Sequence, residues 1–239
     1  MKRIYTLTFV LALILCTGVQ AHATLTTIGQ AQYGGNNYNL IWDNDSPFGS
    51  IVWLDYSNAP ATWASQVKWA GGLNGAGVLT YTIDPGYSVA WSGDWRLPST
   101  VDDVLSFGYN GDGTYSYGYL ITSSELGHLF YAELGNLGFV GPDGTQPQPG
   151  HGLANPGPFT SLQPSDYWSD TVYSLTPEFA WEFDFGIGLQ WALLKSYDLN
   201  AIAVHSANVS VPEPGMLIFI GSGLAGLLAG RKLLRRHVG

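Results

Sequence analysis

Apolar residues form continuous runs near the two ends of the chain and short, interrupted patterns between them. The first run extends from Ile4 to Cys16, broken only by Tyr5, Thr6 and Thr8; the second, Met216 to Gly230, carries no charge. Between them, Gly49–Tyr56 reads as a strand rich in β-branched and aromatic residues. Asn58-Ala59-Pro60 predicts a helix start with Pro60 in the first turn. Trp63, Val67 and Ala70 then share one helical face, and Gly71-Gly72 stops it. Val78 to Ile83 alternates as a strand and turns at Asp84-Pro85-Gly86. Ser99-Thr100 predicts the cap of a second helix, with Asp102 and Asp103 in its first turn. Thr122-Ser123-Ser124-Glu125 has the capping-box pattern, and Leu126, Leu129, Phe130 and Leu134 line one face of a third helix ended by Gly135. Gly141 to Pro164 is dense in Gly, Pro and Gln and predicts an irregular, mobile loop. Phe179, Trp181, Phe183 and Phe185 then alternate with Ala180, Glu182 and Asp184. That is a half-buried strand with aromatics inward and the carboxylates on its polar face. Gln190 to Lys195 and Asn200 to His205 predict two more strands.

The flanks of the terminal runs give them meaning. Lys2 and Arg3 precede the first, and the small-residue site Ala21-His22-Ala23 follows it. This is the layout of a signal peptide over residues 1–23, with Ala21 and Ala23 marking the cleavage site. The sole cysteine, Cys16, lies inside it after Leu15 and reads as an apolar filler. The second run is preceded by Val211-Pro212-Glu213-Pro214-Gly215 and followed by Arg231, Lys232, Arg235 and Arg236. At helical rise it spans about 22 Å, so it predicts a short C-terminal transmembrane helix. The basic stop would stay on the cytoplasmic side, which places the middle of the chain outside. Residues 211–239 thus form one segment and residues 24–210 the exported domain.

The Pro-Glu-Pro motif, short apolar helix and arginine-rich end together resemble the PEP-CTERM sorting signal of Gram-negative bacteria. The resemblance implies recognition of Pro212, Glu213 and Pro214 by a membrane-embedded exosortase-type enzyme. It implies an inner-membrane-anchored intermediate, then release to the cell surface or an exopolysaccharide and biofilm matrix.

Composition narrows the role of the middle. The 187 residues from Thr24 to Ser210 hold three basic residues, Lys68, Arg96 and Lys195, against 17 acidic ones. Such a domain repels nucleic-acid phosphates and anionic lipid surfaces, which excludes nucleic acid as a partner. With 14% aromatic and 11% charged residues the chain has ample apolar surface to bury, so disorder does not fit.

Gly93-Asp94-Trp95-Arg96-Leu97-Pro98-Ser99 resembles the Trp-Arg-Leu-Pro motif of the DUF1566 (Lcl C-terminal-like) family. Trp63 to Gln66 upstream and Tyr167-Trp168-Ser169-Asp170-Thr171 downstream follow in the family's order, with Ala180 to Phe185, Gly188, Lys195 and Ala201 to Val204. The chain departs from the pattern at Asp170 and His205. The resemblance implies an α+β, C-type-lectin-like fold of short twisted strands with two or three helices, and extracellular binding rather than a reaction. Physically, Trp95 and Leu97 would point inward, Pro98 would end the strand, and Arg96 would serve a carboxylate by bidentate pairing.

Candidate chemistry is sparse. Glu182 and Asp184 share a strand face, a spacing an inverting glycosidase could use, but alternation alone predicts it. His128, His151 and His205 have no metal-ligand spacing partners, and no nucleophile elbow or thiol site exists. Asp43-Asn44-Asp45 and Asp112-Gly113 offer oxygens to calcium without completing a calcium loop; Asx turn chemistry explains them better. No cofactor is therefore expected. Tyr109, Tyr115, Tyr117 and Tyr119 crowd a Gly-rich stretch and suit glycan binding at a wet site. The sequence thus predicts an exported, non-catalytic surface protein whose partners are an exosortase-type enzyme, the membrane through its tail, and extracellular polysaccharide; the alternatives are a structural matrix protein without a specific ligand and, third, a carbohydrate-active enzyme.

Overall fold

The structure, a computed structural model, describes residues 25–102, 107–108 and 117–211. The signal segment and the sorting tail, including Ala21, Ala23, Pro212 and the basic stop, lie outside the described residues, as do Tyr109, Asp112 and Tyr115.

The architecture is β rather than α+β. Strands β1 (Thr26–Tyr33), β2 (Asn36–Asp43) and β3 (Ile51–Ala61) form an antiparallel meander. Helix α1 (Trp63–Gly72) follows, then β4 (Thr80–Ile83), β5 (Ser88–Trp91), β6 (Phe107–Gly108) and β7 (Tyr117–Gly118). A four-residue helix α2 (Glu125–His128) runs into a π-helical turn at Leu129–Glu133. Strands β8 (Asp166–Val172), β9 (Phe179–Asp184), β10 (Leu189–Leu194) and β11 (Leu199–Ser210) complete the chain. They make one mixed eleven-stranded sheet, ordered β4-β1-β2-β3-β11-β8-β9-β10-β7-β6, with β5 paired to the far end of β11. The β11–β8 and β6–β7 pairs are parallel and the others antiparallel.

This overturns the expected lectin-like α+β fold with two or three helices, and its physical cause is local. The predicted helix at Asn58-Ala59-Pro60 is instead the end of β3, and α1 begins at Trp63 after Thr62. The predicted helix at Ser99-Thr100 does not start within the described residues, where the hydroxyls that would cap it are committed to other elements. Ser99 Oγ donates to Asp170 Oδ2 (3.0 Å) and accepts from Arg96 Nη1 (3.0 Å), while Thr100 Oγ1 accepts from Gln190 Nε2 (3.1 Å). The third helix does form, but Ser124 caps it by accepting from Gly127 N–H (3.0 Å). No helix of the described residues is long and apolar enough to cross a membrane.

Two large apolar clusters flank the sheet. One joins Ile28, Leu40, Val52 and Leu54 to α1, Trp95, Leu97 and Trp168. The other joins Trp53, Tyr167, Phe183, Phe185 and Val204 to Leu126, Leu129, Phe130 and Leu134 of the short helix. Strand β11 serves both, Ala201 and Ala203 facing the first and Ile202 and Val204 the second. A strand buried on both faces reads as an apolar run rather than as alternation. Gly29 permits the close β1–β4 contact: a Cβ there would sit 2.3 Å from Thr82 O.

Candidate functional site

Arg96 acts structurally. Its strand segment, with Trp95 and Leu97 2% and 1% exposed, bridges Val204 of β11. Its guanidinium grips Glu125 with Nη1 to Oε2 at 2.7 Å and Nη2 to Oε1 at 2.8 Å, the bidentate pairing expected of it. Nη1 also donates to Ser99 Oγ and Leu97 O. Glu125 is fully buried and held by this fork; breaking such a pair costs about 3–5 kcal/mol. Glu125, read as a capping residue, thus ties α2 to the Trp-Arg-Leu-Pro segment. Asp170 supports the same knot by accepting from Ser99 Oγ at 3.0 Å.

The carboxylates of β9 are not a solvent face. Trp181, Phe183 and Phe185 are buried as predicted, but Ala180 (0%) and Glu182 (4%) are buried too. Registers Trp168↔Glu182 and Trp191↔Glu182 set these side chains in one row across β8, β9 and β10. Asp166 and Asp184 stand directly opposite each other in the next row. Burial, then the charges of Asp166 and Asp184, raises the pKa of Glu182 well above the ordinary carboxylate value. Burial and the Asp184 charge push Asp166 up to about 6. Asp184 is also raised by burial, against hydrogen bonds from the backbone N–H groups of Gly186 and Ile187. Glu182 Oε2 is enclosed without a hydrogen-bond partner. Glu182 is thus shut off from solvent, while Asp166 and Asp184 beside it stay half-buried.

Toward its β7 edge the sheet opens into a cleft. The register Gln190↔Gly118 brings Tyr117 opposite Trp191, and their rings meet edge to face at 4.4 Å and 82°. Together with Tyr173, Thr176, Phe179 and Ala192 they line a cleft of about 260 Å³. Trp191 is 39% exposed, an unusual position for an indole, whereas Tyr173 is 7% exposed and packs edge-on against Trp181 at 5.6 Å. Burial raises the Tyr117 phenol above its ordinary pKa, so it stays neutral. Tyr119, 8% exposed, is inside rather than in the cleft wall. Of the four tyrosines singled out in the sequence, Tyr117 is the one placed at this cleft among the described residues. Sequence reading missed Trp191, Tyr173 and Phe179, which local pattern could not distinguish from core residues.

A wider polar groove of about 490 Å³ lies between β3 and the segment at Thr160–Gln163, lined by Tyr38, Tyr56, Asn58 and Asn200 among others. Tyr38 and Tyr56 meet edge to face at 4.9 Å. Much of its polar lining is internally committed. Asn58 Nδ2 donates to Gln66 Oε1 (2.7 Å), and Ser57 Oγ pairs with Tyr167 OH (2.7 Å).

The histidines have separate settings. His205 is buried against Trp91 and Trp95, at 4.9 and 5.3 Å, and burial lowers its pKa. His151 Nδ1 bonds Gln148 O in the loop. That loop is irregular as predicted, yet Gly152 N–H donates to Leu137 O and Gln148 N–H to Phe139 O, pinning it to the fold. His128, at the end of α2, lies against Asp45 and Glu133.

Comparison with known proteins finds no match among curated proteins or solved structures. The expected DUF1566 domain is not shown by any comparison. A family match is found at residues 210–236, to the PEP-CTERM protein-sorting motif. That motif marks the chain as an exported protein of Gram-negative type, sorted by an exosortase-type enzyme.

Proposed function

We propose that this exported chain is a non-catalytic surface protein of the extracellular matrix that holds neutral polysaccharide in the Tyr117–Trp191 cleft. The observation carrying this reading is the half-exposed Trp191 indole, buttressed edge-on by Tyr117 in an aromatic-lined cleft. An indole face with an adjacent phenol offers a sugar ring an apolar platform and a polar tip. The excess of acidic over basic residues disfavours anionic polymers, so the ligand is a neutral glycan. A non-catalytic role is supported by the burial of Glu182, 4% exposed, which keeps its acid from open solvent.

The test is retardation of the full chain in gels containing neutral or anionic polysaccharides, with parallel assay of released reducing ends. Neutral polymers should retard the chain, and Trp191→Ala should weaken binding about tenfold, about 1.4 kcal/mol. Undiminished binding by Trp191→Ala, or its loss in Tyr38→Ala instead, would refute the cleft assignment. Released reducing ends that vanish in Glu182→Gln would refute the non-catalytic reading.

A further inference from the structure

We propose that Asp43, Asp45, His128 and Glu133 form a site for one divalent transition-metal cation of the Zn²⁺ class. Asp43 ends β2 and Asp45 follows in the next turn, while His128 ends α2 and Glu133 ends the π-helical turn. Two segments distant in sequence therefore converge, and one ligand atom from each of the four residues lies within 4.8 Å of all the others.

Geometry separates this cluster from an ordinary patch of surface acids. The Glu133 side chain is 2% exposed, and among the described residues its carboxylate meets a donor only at His128 Nε2, 3.5 Å away. His128 Nε2 is itself enclosed and has no hydrogen-bond partner, and Asp45 Oδ1 also stands 3.5 Å from it. A protonated imidazole paired with carboxylates would close to about 2.7–2.9 Å. Instead both separations match neighbouring ligands of a tetrahedral cation, about 3.4 Å apart when each bond is about 2.1 Å. Glu133 faces the His128 ring nitrogen at 3.5 Å, and that enclosed nitrogen is left without a hydrogen-bond partner. A cation between them satisfies that nitrogen.

The remaining carboxylates fit this role. Asp43, 1% exposed, is fixed by accepting from Trp53 Nε1 (3.2 Å) and Asp45 N–H (3.3 Å). Asp45, whose side chain is 48% exposed, opens the cluster to solvent and gives an entry path. One imidazole with carboxylates suits a borderline dication such as Zn²⁺. Calcium prefers six to eight oxygens and no nitrogen. The metal would staple the β2–β3 turn to the short helix.

The full chain, stripped with chelator and dialysed, is titrated calorimetrically with ZnCl₂ and separately with CaCl₂, and its Tm is followed. One Zn²⁺ should bind per chain, with Tm rising by roughly 5 °C or more at a hundredfold excess over Kd. His128→Gln, Glu133→Gln and Asp45→Asn should each weaken Zn²⁺ binding tenfold or more while the far-UV circular dichroism is unchanged. Asp45→Asn, at an exposed position, decides the matter should a buried variant fail to fold. No Zn²⁺ uptake by the folded chain, equal uptake by every variant, or a preference for Ca²⁺ would each overturn the site.

Discussion

At the scale of single residues, the acids on β8 and β9 make stability depend on pH in an unusual direction. Burial and the opposing Asp184 raise Asp166 from 3.8 to about 6. The folded state then holds this proton more tightly than the unfolded chain does. Its contribution to stability is full below about pH 4 and is lost as pH rises through about 6. Asp166→Asn removes the titration. Because the site is half open to solvent, the gain at pH 7 should be about 1 kcal/mol, or a Tm increase of about 2–4 °C. Melting curves of both proteins from pH 4 to pH 7.5 check this; the two should coincide at the acid end. The sequence offered the alternation of β9 but not the cover over its second face, which comes from elements far along the chain. Glu182 was therefore read as solvent-facing. Arg96 was legible, since a lone cation among apolar neighbours must find a carboxylate, yet nothing local pointed to Glu125.

Elements were legible where their signals are local. Ser124 caps its helix and Leu126, Leu129, Phe130 and Leu134 are buried as their spacing requires. Cap residues at Ser99 and Thr100 carried the same signal, but bonds to Asp170, Arg96 and Gln190 claimed their hydroxyls. The β1–β2 hairpin went unread although Gly34-Gly35, at φ +56° and +87°, is a turn signal between two strands. Its Asn- and Gln-rich strands lack the usual β-branched density. Asp55 shows how such elements are locked together. It is 1% exposed on β3 and accepts from Thr160 N–H, Thr160 Oγ1 (2.7 Å) and Ser161 N–H (2.9 Å). Asp55→Ala leaves these donors unmet, at a cost of about 2–3 kcal/mol. Tm should fall by roughly 5–10 °C. Amide exchange at Thr160 and Ser161 should quicken, while exchange within β9 changes only with the global loss.

For the whole molecule, function was most legible in the C-terminal segment, where charge and hydropathy are written along the chain, and least in the sheet, whose strand order depends on distant pairings. The sorting motif at residues 210–236 predicts where the protein goes. Replacing Pro212, Glu213 and Pro214 with alanine should shift the chain from the surface and culture-medium fractions into the cell-envelope fraction. The mutant's melting temperature should be unchanged; identical distribution of the two proteins would contradict exosortase-type sorting. Strand β11 carries a consequence of its own. It pairs with β3, β8 and β5, and it ends at Ser210, where the sorting motif begins. A chain threaded outward from its N-terminus thus emerges with its keystone still inside, and β3 and β8 lack their shared partner until the end. Maturation of the sheet and arrival of the delivery address are one event in time, so an incompletely exported chain presents sticky, unpaired edges rather than a completed sheet.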